Sequence, residues 1–293
     1  MPCCREWECR AAVSGNPPID AHAVLAKLAW AIRSEAGPLR EHNEDCAGAH
    51  APTTPDDSWD RGALFVVADG LGGHAAGEVA SRIAVEAVLE GWSSGPPRPP
   101  QVAVRDGLRR ANAAVLDAAS EPARRGMGTT CTALALSGHE GVVAHVGDSR
   151  AYRITGGQIA QLTTDHSRVQ ELARRGLLRP DQARTHPARS VLTRSLGAEP
   201  AVAVDVTKIP VALGDVFVLC TDGLWDLVDE TEMVDAAGGA PREPSAARIA
   251  NQLVELALAR GAPDNVTAAV VKVTSDQPLP VAGGRRLRWR GWR

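Results

Sequence analysis

ALFVVADG at residues 63–70 and VFVLCTDG at residues 216–223 follow one plan, a nearly unbroken apolar run that ends on Asp-Gly. Such a run is too short for a typical helix, and its Phe and Val residues favour a β-strand buried on both faces. A strand of this kind lies inside a layered structure, and its end is a rigid place for a side chain. Asp69 and Asp222 therefore leave a buried layer at fixed positions. The glycines that follow, Gly70 and Gly223, are expected to let the backbone turn sharply and to bring a carbonyl close to whatever the carboxylates hold.

Working outward, further short strand-like runs lie at 27–34, 62–68, 129–136, 141–147, 150–154, 202–209, 215–220 and 265–273, separated by Gly, Pro and Asp turns. Three segments show helical spacing instead: Val79/Ile83/Ala87, Val104/Leu108/Ala111/Val115 and Ile249/Leu253/Leu256. Because strands and helices do not alternate as βαβ units, the pattern predicts a β-sandwich covered by helices. SGPPRPP at 94–100 is a stiff connector between the first two helices, and SRVQELARRG at 167–176 is a surface flap between two strand-rich halves. Residues 1–26 have no sustained period and form an N-terminal extension, 27–275 form one domain, and 276–293 are a basic tail ending in GGRRLRWRGWR.

The chain has 293 residues, 44% apolar and 23% charged, which supports a sizeable core and excludes wholesale disorder. A net charge of −3 points to neither nucleic acid nor a membrane surface as a partner. No apolar run is long enough to span a bilayer, and the expected location is the cytoplasm. Cys46, Cys131 and Cys220 sit alone in apolar stretches and read as small buried side chains. Cys3, Cys4 and Cys9, even with His22, lack the paired spacing of a structural zinc site and read as a frayed, reduced tail.

Five aspartate-bearing turns stand at strand ends: 43–45 (Asn-Glu-Asp), 69–70, 148–150 (Asp-Ser-Arg), 222–223 and 264–265 (Asp-Asn). One Asp-Gly after a strand is ordinarily just a turn, but several in one chain favour a shared carboxylate site. Oxygen ligands suit hard cations such as magnesium and manganese, and clustered carboxylates repel one another until a cation joins them. Two such ions together activate water for attack on phosphorus. Arg40, four residues before Glu44, is either the guanidinium that grips a phosphate or an exposed loop arginine.

Taken in order, GPLREHNED (37–45), LFVVADGLGGHAAGEVAS (64–81), GMGTTCTALAL (126–136), VAHVGDSRAY (143–152), LTTDHS (162–167), VLTRSLG (191–197), LCTDGLWDLV (219–228) and APDNVTAAVV (262–271) resemble the metal-dependent protein phosphatases of the PPM, or type 2C, family in their compact bacterial form. The resemblance spans about residues 27–273. It implies an α+β fold, a central antiparallel β-sandwich flanked by helices on both sides in α-β-β-α layers, with two Mn2+ or Mg2+ ions at one end.

Carried over residue by residue, Asp69 would bridge both ions, the Gly70 carbonyl would bind one, and Asp222 and Asp264 would complete the other. Glu44 and Asp45 would act largely through water, and Arg40 would grip the substrate phosphate. Asp148 matches the ligand of a weaker third ion, with a turn aspartate paired to Arg150 as the alternative. The segment 167–187 corresponds to a variable flap that influences substrate choice. Leu71 stands where animal members carry a histidine after Asp-Gly, and His74 is displaced from that place, so leaving-group protonation would fall to water.

The activity implied is hydrolysis of phosphoserine and phosphothreonine by a bimetal-activated hydroxide, opposing Ser/Thr kinases in signalling. The partners implied are phosphorylated Ser/Thr proteins, including a Ser/Thr kinase and its substrates. A catalytically silent binding module with the same fold, and a phosphatase of small phosphate esters, are the rival readings.

Overall fold

Alternation along β4 (Ala63–Leu71) explains why its sequence is apolar throughout. Ala63, Phe65 and Val67 enter one hydrophobic cluster, and Leu64, Val66 and Ala68 enter another, as the two-residue period of a strand requires. The same division holds in β11 (Val216–Cys220) and β12 (Val266–Val273): Phe217, Leu219, Ala269 and Val271 face inward between two sheets, and Val218, Cys220, Ala268 and Val270 face a helical layer. The computed structural model of the chain describes residues 21–24, 28–51, 61–72, 76–94, 96–179, 182, 186–238 and 244–275.

One sheet runs β1 (Ala21–Val24), β2 (Leu28–Glu35), β12, β11, β8 (Arg150–Thr155) and β9 (Gln158–Gln161). The other runs β10 (Asp205–Pro210), β7 (Glu140–Val146), β6 (Cys131–Ser137), β4 and β3 (Asp45–His50), with β5 (Gly128–Thr129) paired to the end of β4. Every pairing is antiparallel. Helices α1 (Ala76–Ser93) and α2 (Pro100–Ala118) cover the second sheet. The first sheet is covered by α4 (Asp222–Trp225), α5 (Glu230–Gly238) and α6 (Ala246–Ala259), while α3 (Arg168–Arg174) stands in the flap segment. Leu108 of α2 and Leu253 of α6 are fully buried, each contributing about 1.5–3 kcal/mol through the apolar surface it removes from water.

The α-β-β-α layering is the one the sequence leads one to expect, with differences in detail. The apolar trio Val79/Ile83/Ala87 only flanks the buried stripe of α1, which is Ala76, Ala80, Ala84 and Val88. Small residues let α1 lie close to the sheet, where a Cβ at Gly48 would press on the side-chain ends of Leu89 at 2.8 Å and Val85 at 3.0 Å. The sheet begins at Ala21, inside the stretch assigned to the extension, because β1 pairs with β2 from Ala21↔Ile32 to Val24↔Ala29. The strand expected over 129–136 breaks at Thr130 into β5 and β6. The side chains of Cys3, Cys4, Cys9, His22 and His74, and the basic tail 276–293, lie outside the described residues.

Candidate metal centre

Antiparallel register gathers the acidic turns at one end of the sandwich. In the first sheet Glu35 pairs with Val266, and Cys220 pairs with Arg150 and with Ala268. That edge therefore carries the loop after β2, the loop before β12, the start of α4 and the turn before β8. In the second sheet Asp45 pairs directly with Asp69. Like charges facing each other across strands are destabilising without a cation between them.

Asp69 lies deep. Its backbone N–H donates to the Thr130 hydroxyl at 2.8 Å, and its carbonyl accepts from the Thr129 hydroxyl at 2.8 Å and the Thr130 N–H at 2.9 Å. Burial, then the charges of Asp45, Asp222, Asp148 and Asp264, hold its carboxyl well above the usual carboxylate range. Burial also pushes Asp45 up to about 7, against hydroxyls of Thr267 at 2.6 Å and Thr221 at 2.8 Å that donate to one of its oxygens. Asp222 rises to about 6 through burial and the charges of Asp264 and Asp226, and its Oδ1 is buried with no partner. Asp148 rises to about 8 through burial, then Asp222 and Asp165. Burial likewise raises Glu44, with Arg40 opposing.

Gly70 does not turn the chain, since β4 continues to Leu71. It is required for close approach: a Cβ there would sit 2.2 Å from the Gly77 carbonyl and 2.5 Å from that of Glu44. Gly223 serves the same end, with 2.0 Å to the Asn265 carbonyl. The two glycines thus press α1 and α4 against the acidic edge. Glu44 is held by its backbone, donating to Asn265 Oδ1 at 2.9 Å and accepting from Ser81 Oγ at 2.6 Å and Gly70 N at 3.1 Å.

Arg40 stands exposed on the loop after β2, where Nη2 donates to Asp264 Oδ2 at 2.6 Å and Nε to the Pro263 carbonyl at 3.3 Å. Asp264 Oδ1 accepts from Asn265 N–H at 2.8 Å. Arg150 does not pair with Asp148 as the alternative had it. Its guanidinium grips Asp165 with contacts of 2.6–3.2 Å and lies 3.5 Å over the Trp225 ring.

The structure thus brings together Arg40, Glu44, Asp45, Asp69, Gly70, Asp148, Asp222 and Asp264. Sequence reasoning assigned no role to Thr221, Thr267, Asn265, Ser34 and Asn43, which hold them. Asn43 Nδ2 donates to Ser34 Oγ at 2.8 Å, Ser34 meets Thr267 at 2.7 Å, and Asn43 Oδ1 accepts from Asp45 N–H at 3.1 Å. The signal available was polar residues at inward positions of otherwise apolar strand ends.

Carboxylate and carbonyl oxygens, with an unpartnered buried oxygen on Asp222, fit hard divalent cations. Among the described residues, three or more His, Cys, Asp or Glu side chains do not close on one point as a protein-only ligand shell. Ions that retain several waters need no such shell.

Comparison with known proteins agrees with this chemistry. The sequence profile described as protein phosphatase 2C matches residues 50–257. The serine/threonine protein phosphatase PstP of Mycobacterium tuberculosis is 36% identical over 265 residues, 89% of this chain; the chain spans about half of PstP, 48% of its length. The serine/threonine phosphatase stp of Listeria welshimeri is 36% identical over 246 residues, 82% of this chain and 94% of that protein. The solved catalytic domain of PstP in complex with two manganese ions superposes with a TM-score of 0.73 at 34% identity, covering 85% of this chain and 99% of that one. A sandwich with its acid-rich end, a profile over more than half its length and relatives at this identity make the chain a member of the protein phosphatase 2C family.

Proposed function

We propose that this chain is a divalent-metal-dependent protein serine/threonine phosphatase, and that the eight residues gathered at the sandwich end are its site. The observation that carries the proposal is the set of buried and half-buried carboxylates Asp45, Asp148, Asp69 and Asp222, which no Lys or Arg neutralises by direct contact among the described residues. Two Mn2+ or Mg2+ ions, when bound, supply the Lewis acidity that lowers the pKa of water and offsets phosphate charge. Asp69, the Gly70 carbonyl, Asp222 and Asp264 would hold them, Glu44 and Asp45 would act through water, and Asp148 would hold a weaker third ion.

Arg40 binds and orients the phosphate. Asp264 aims it by accepting from Nη2 at 2.6 Å, and the lone pairs left on its oxygens stay open to a cation. Phosphoryl transfer passes through a loose transition state, so positioning and charge neutralisation supply most of the catalysis. Among the described residues no helix is long and apolar enough to cross a membrane. A cytoplasmic location, and a signalling role opposing a Ser/Thr kinase on shared phosphoprotein substrates, complete the proposal.

Phosphate release from a phosphothreonine peptide, compared with release from mononucleotides in manganese and in chelator, tests it. Metal-dependent turnover that favours the peptide is expected. No turnover at saturating manganese would make the chain a binding module, and preference for mononucleotides would make it a small-ester phosphatase.

A further inference from the structure

We propose that Asp165 and His166 are positioning residues for the phosphatase site: they clamp the 147–150 turn from both sides and so fix where the Asp148 carboxylate stands. This rests on the reading of Asp148 as part of that site.

The turn between β7 and β8 is held by its neighbours, Thr132 Oγ1 donating to the Ser149 carbonyl at 3.0 Å. Gly147 takes a φ of +113°, open to glycine and strained for other residues. His166 grips this residue twice, donating its backbone N–H to the Gly147 carbonyl at 2.7 Å and accepting the Gly147 N–H on Nδ1 at 3.0 Å. With Nδ1 accepting from Gly147, Nε2 is the ring atom left to face Asp205 Oδ2 at 3.2 Å and Arg194 Nη1 at 2.9 Å. Arg194 closes this side by donating to Asp205 Oδ1 at 2.7 Å.

On the far side of the turn, Asp165 takes the Arg150 guanidinium through both carboxylate oxygens, a geometry that fixes orientation as well as charge. That grip lays Arg150 over Trp225, whose indole N–H donates to the Asp148 carbonyl at 3.1 Å. Asp165 also withholds Arg150 from Asp148, leaving that carboxylate without a cationic contact. Ser149 ties the middle of the turn to Asp69, since its hydroxyl meets Thr130 Oγ1 at 2.6 Å and that oxygen accepts the Asp69 N–H. The clamp is also the entry to the flap, because Ser167, which caps α3, follows it directly.

Substitution at 166 separates a clamp from mere packing. The amide of Asn ends where Nδ1 sits and can accept from Gly147, whereas that of Gln reaches the place of Nε2 and serves only Asp205. With the manganese-loaded protein and a phosphothreonine peptide, His166→Asn should keep kcat within about twofold, and His166→Gln should lose about tenfold at unchanged KM, the scale on which residues behind a ligand act. Asp165→Asn should lose a similar factor and weaken manganese binding by calorimetry, with no added loss in an Asp148→Asn background.

Gln performing as well as Asn, or strictly additive losses for Asp165 and Asp148, would overturn the clamp. An impaired Asp148→Asn beside wild-type Asp165→Asn and His166→Gln overturns the clamp alone. Full activity and wild-type manganese binding in Asp148→Asn overturns the reading of the site and the clamp with it.

Discussion

Two sets of buried and half-buried aspartates differ in what stands opposite them. Asp215, with no solvent exposure, meets Arg153 at 2.8 Å, and Asp165 meets Arg150 at 2.6 Å. Asp45 and Asp148 are buried and Asp69 and Asp222 half-buried, yet all four meet hydroxyls, backbone N–H groups and one another. The first set is neutralised by the chain itself: Asp215 serves the fold, and Asp165 holds Arg150 beside the site. The second leaves a concentration of negative charge that the fold does not answer, and the comparison teaches that its counter-charge is expected from outside.

The largest effect should come from exchanging charge for an amide in each set. Asp69→Asn or Asp222→Asn should lower manganese-dependent phosphatase activity by roughly a hundredfold to ten-thousandfold, the factor that several kcal/mol of lost transition-state stabilisation represents. The metal-free melting temperature should hold or rise, because repulsion is relieved. Asp215→Asn should do the opposite, costing about 2 kcal/mol or more of stability by stranding Arg153 while the folded fraction keeps its kcat. Thermal melting with single-temperature kinetics reads both, and the same response from Asp215 as from Asp69 and Asp222 would break the distinction.

The pH dependence sharpens it. Asp45, Asp148 and Asp222 titrate in the folded chain at about 7, 8 and 6 and Asp69 is held well above normal, against about 3.9 for an unfolded aspartate. The folded state therefore binds more protons between about pH 4 and 8, so the metal-free protein should lose stability as pH rises through that window. Saturating manganese should flatten the curve and stabilise most at the alkaline end. A metal-free melting temperature that rises with pH from 5 to 8 would show that these groups are not the uncompensated set.

Arg40→Ala should have a smaller and differently shaped effect, raising KM for phosphopeptide about tenfold and weakening inhibition by free phosphate, since one charge-assisted contact is worth about 1.5–3 kcal/mol. Manganese affinity should stay within a few-fold, because Asp264 loses an aiming partner and keeps its own oxygens. An unchanged KM with weakened manganese binding would make the 2.6 Å pair a support for Asp264 and nothing more.

Asp69, Asp148 and Asp222 were legible because each ends or follows a strand whose apolar run names its own burial, whereas Asp45 was legible only from the Asn-Glu-Asp turn it closes. So were β4, β11 and β12, apolar on both faces. β3, DCAGAH, was not: its residues have weak strand preference, and pairing with β4 decides its conformation. β9, QIAQ, is an edge strand folded back on β8 by Gly156 and Gly157 at positive φ. The contact of Arg40 with Asp264 joins residues 224 apart and leaves no local mark. Thr221 and Thr267 read as ordinary strand residues, although their hydroxyls turn to Asp45.

Those two threonines supply the smallest test. Thr267 Oγ1 stands between Asp45 Oδ2 at 2.6 Å and Ser34 Oγ at 2.7 Å, the middle of a chain that starts at Asn43. Valine has nearly the same shape, so Thr267→Val removes the hydroxyl without opening a cavity. The loss should be about 1–2 kcal/mol, the scale of one buried hydrogen bond with its partner left short. A hydroxyl that donates to a carboxylate favours the charged form, so its removal should move Asp45 further above 7 and shift manganese binding to higher pH. Turnover at saturating metal and high pH should recover to within about threefold of the unaltered protein, because the carboxylate itself remains. Calorimetric manganese titrations at several pH values give the shift directly. If they superpose on those of the unaltered protein while stability falls, Thr267 serves the sandwich and Asp45 does not depend on it for its charge.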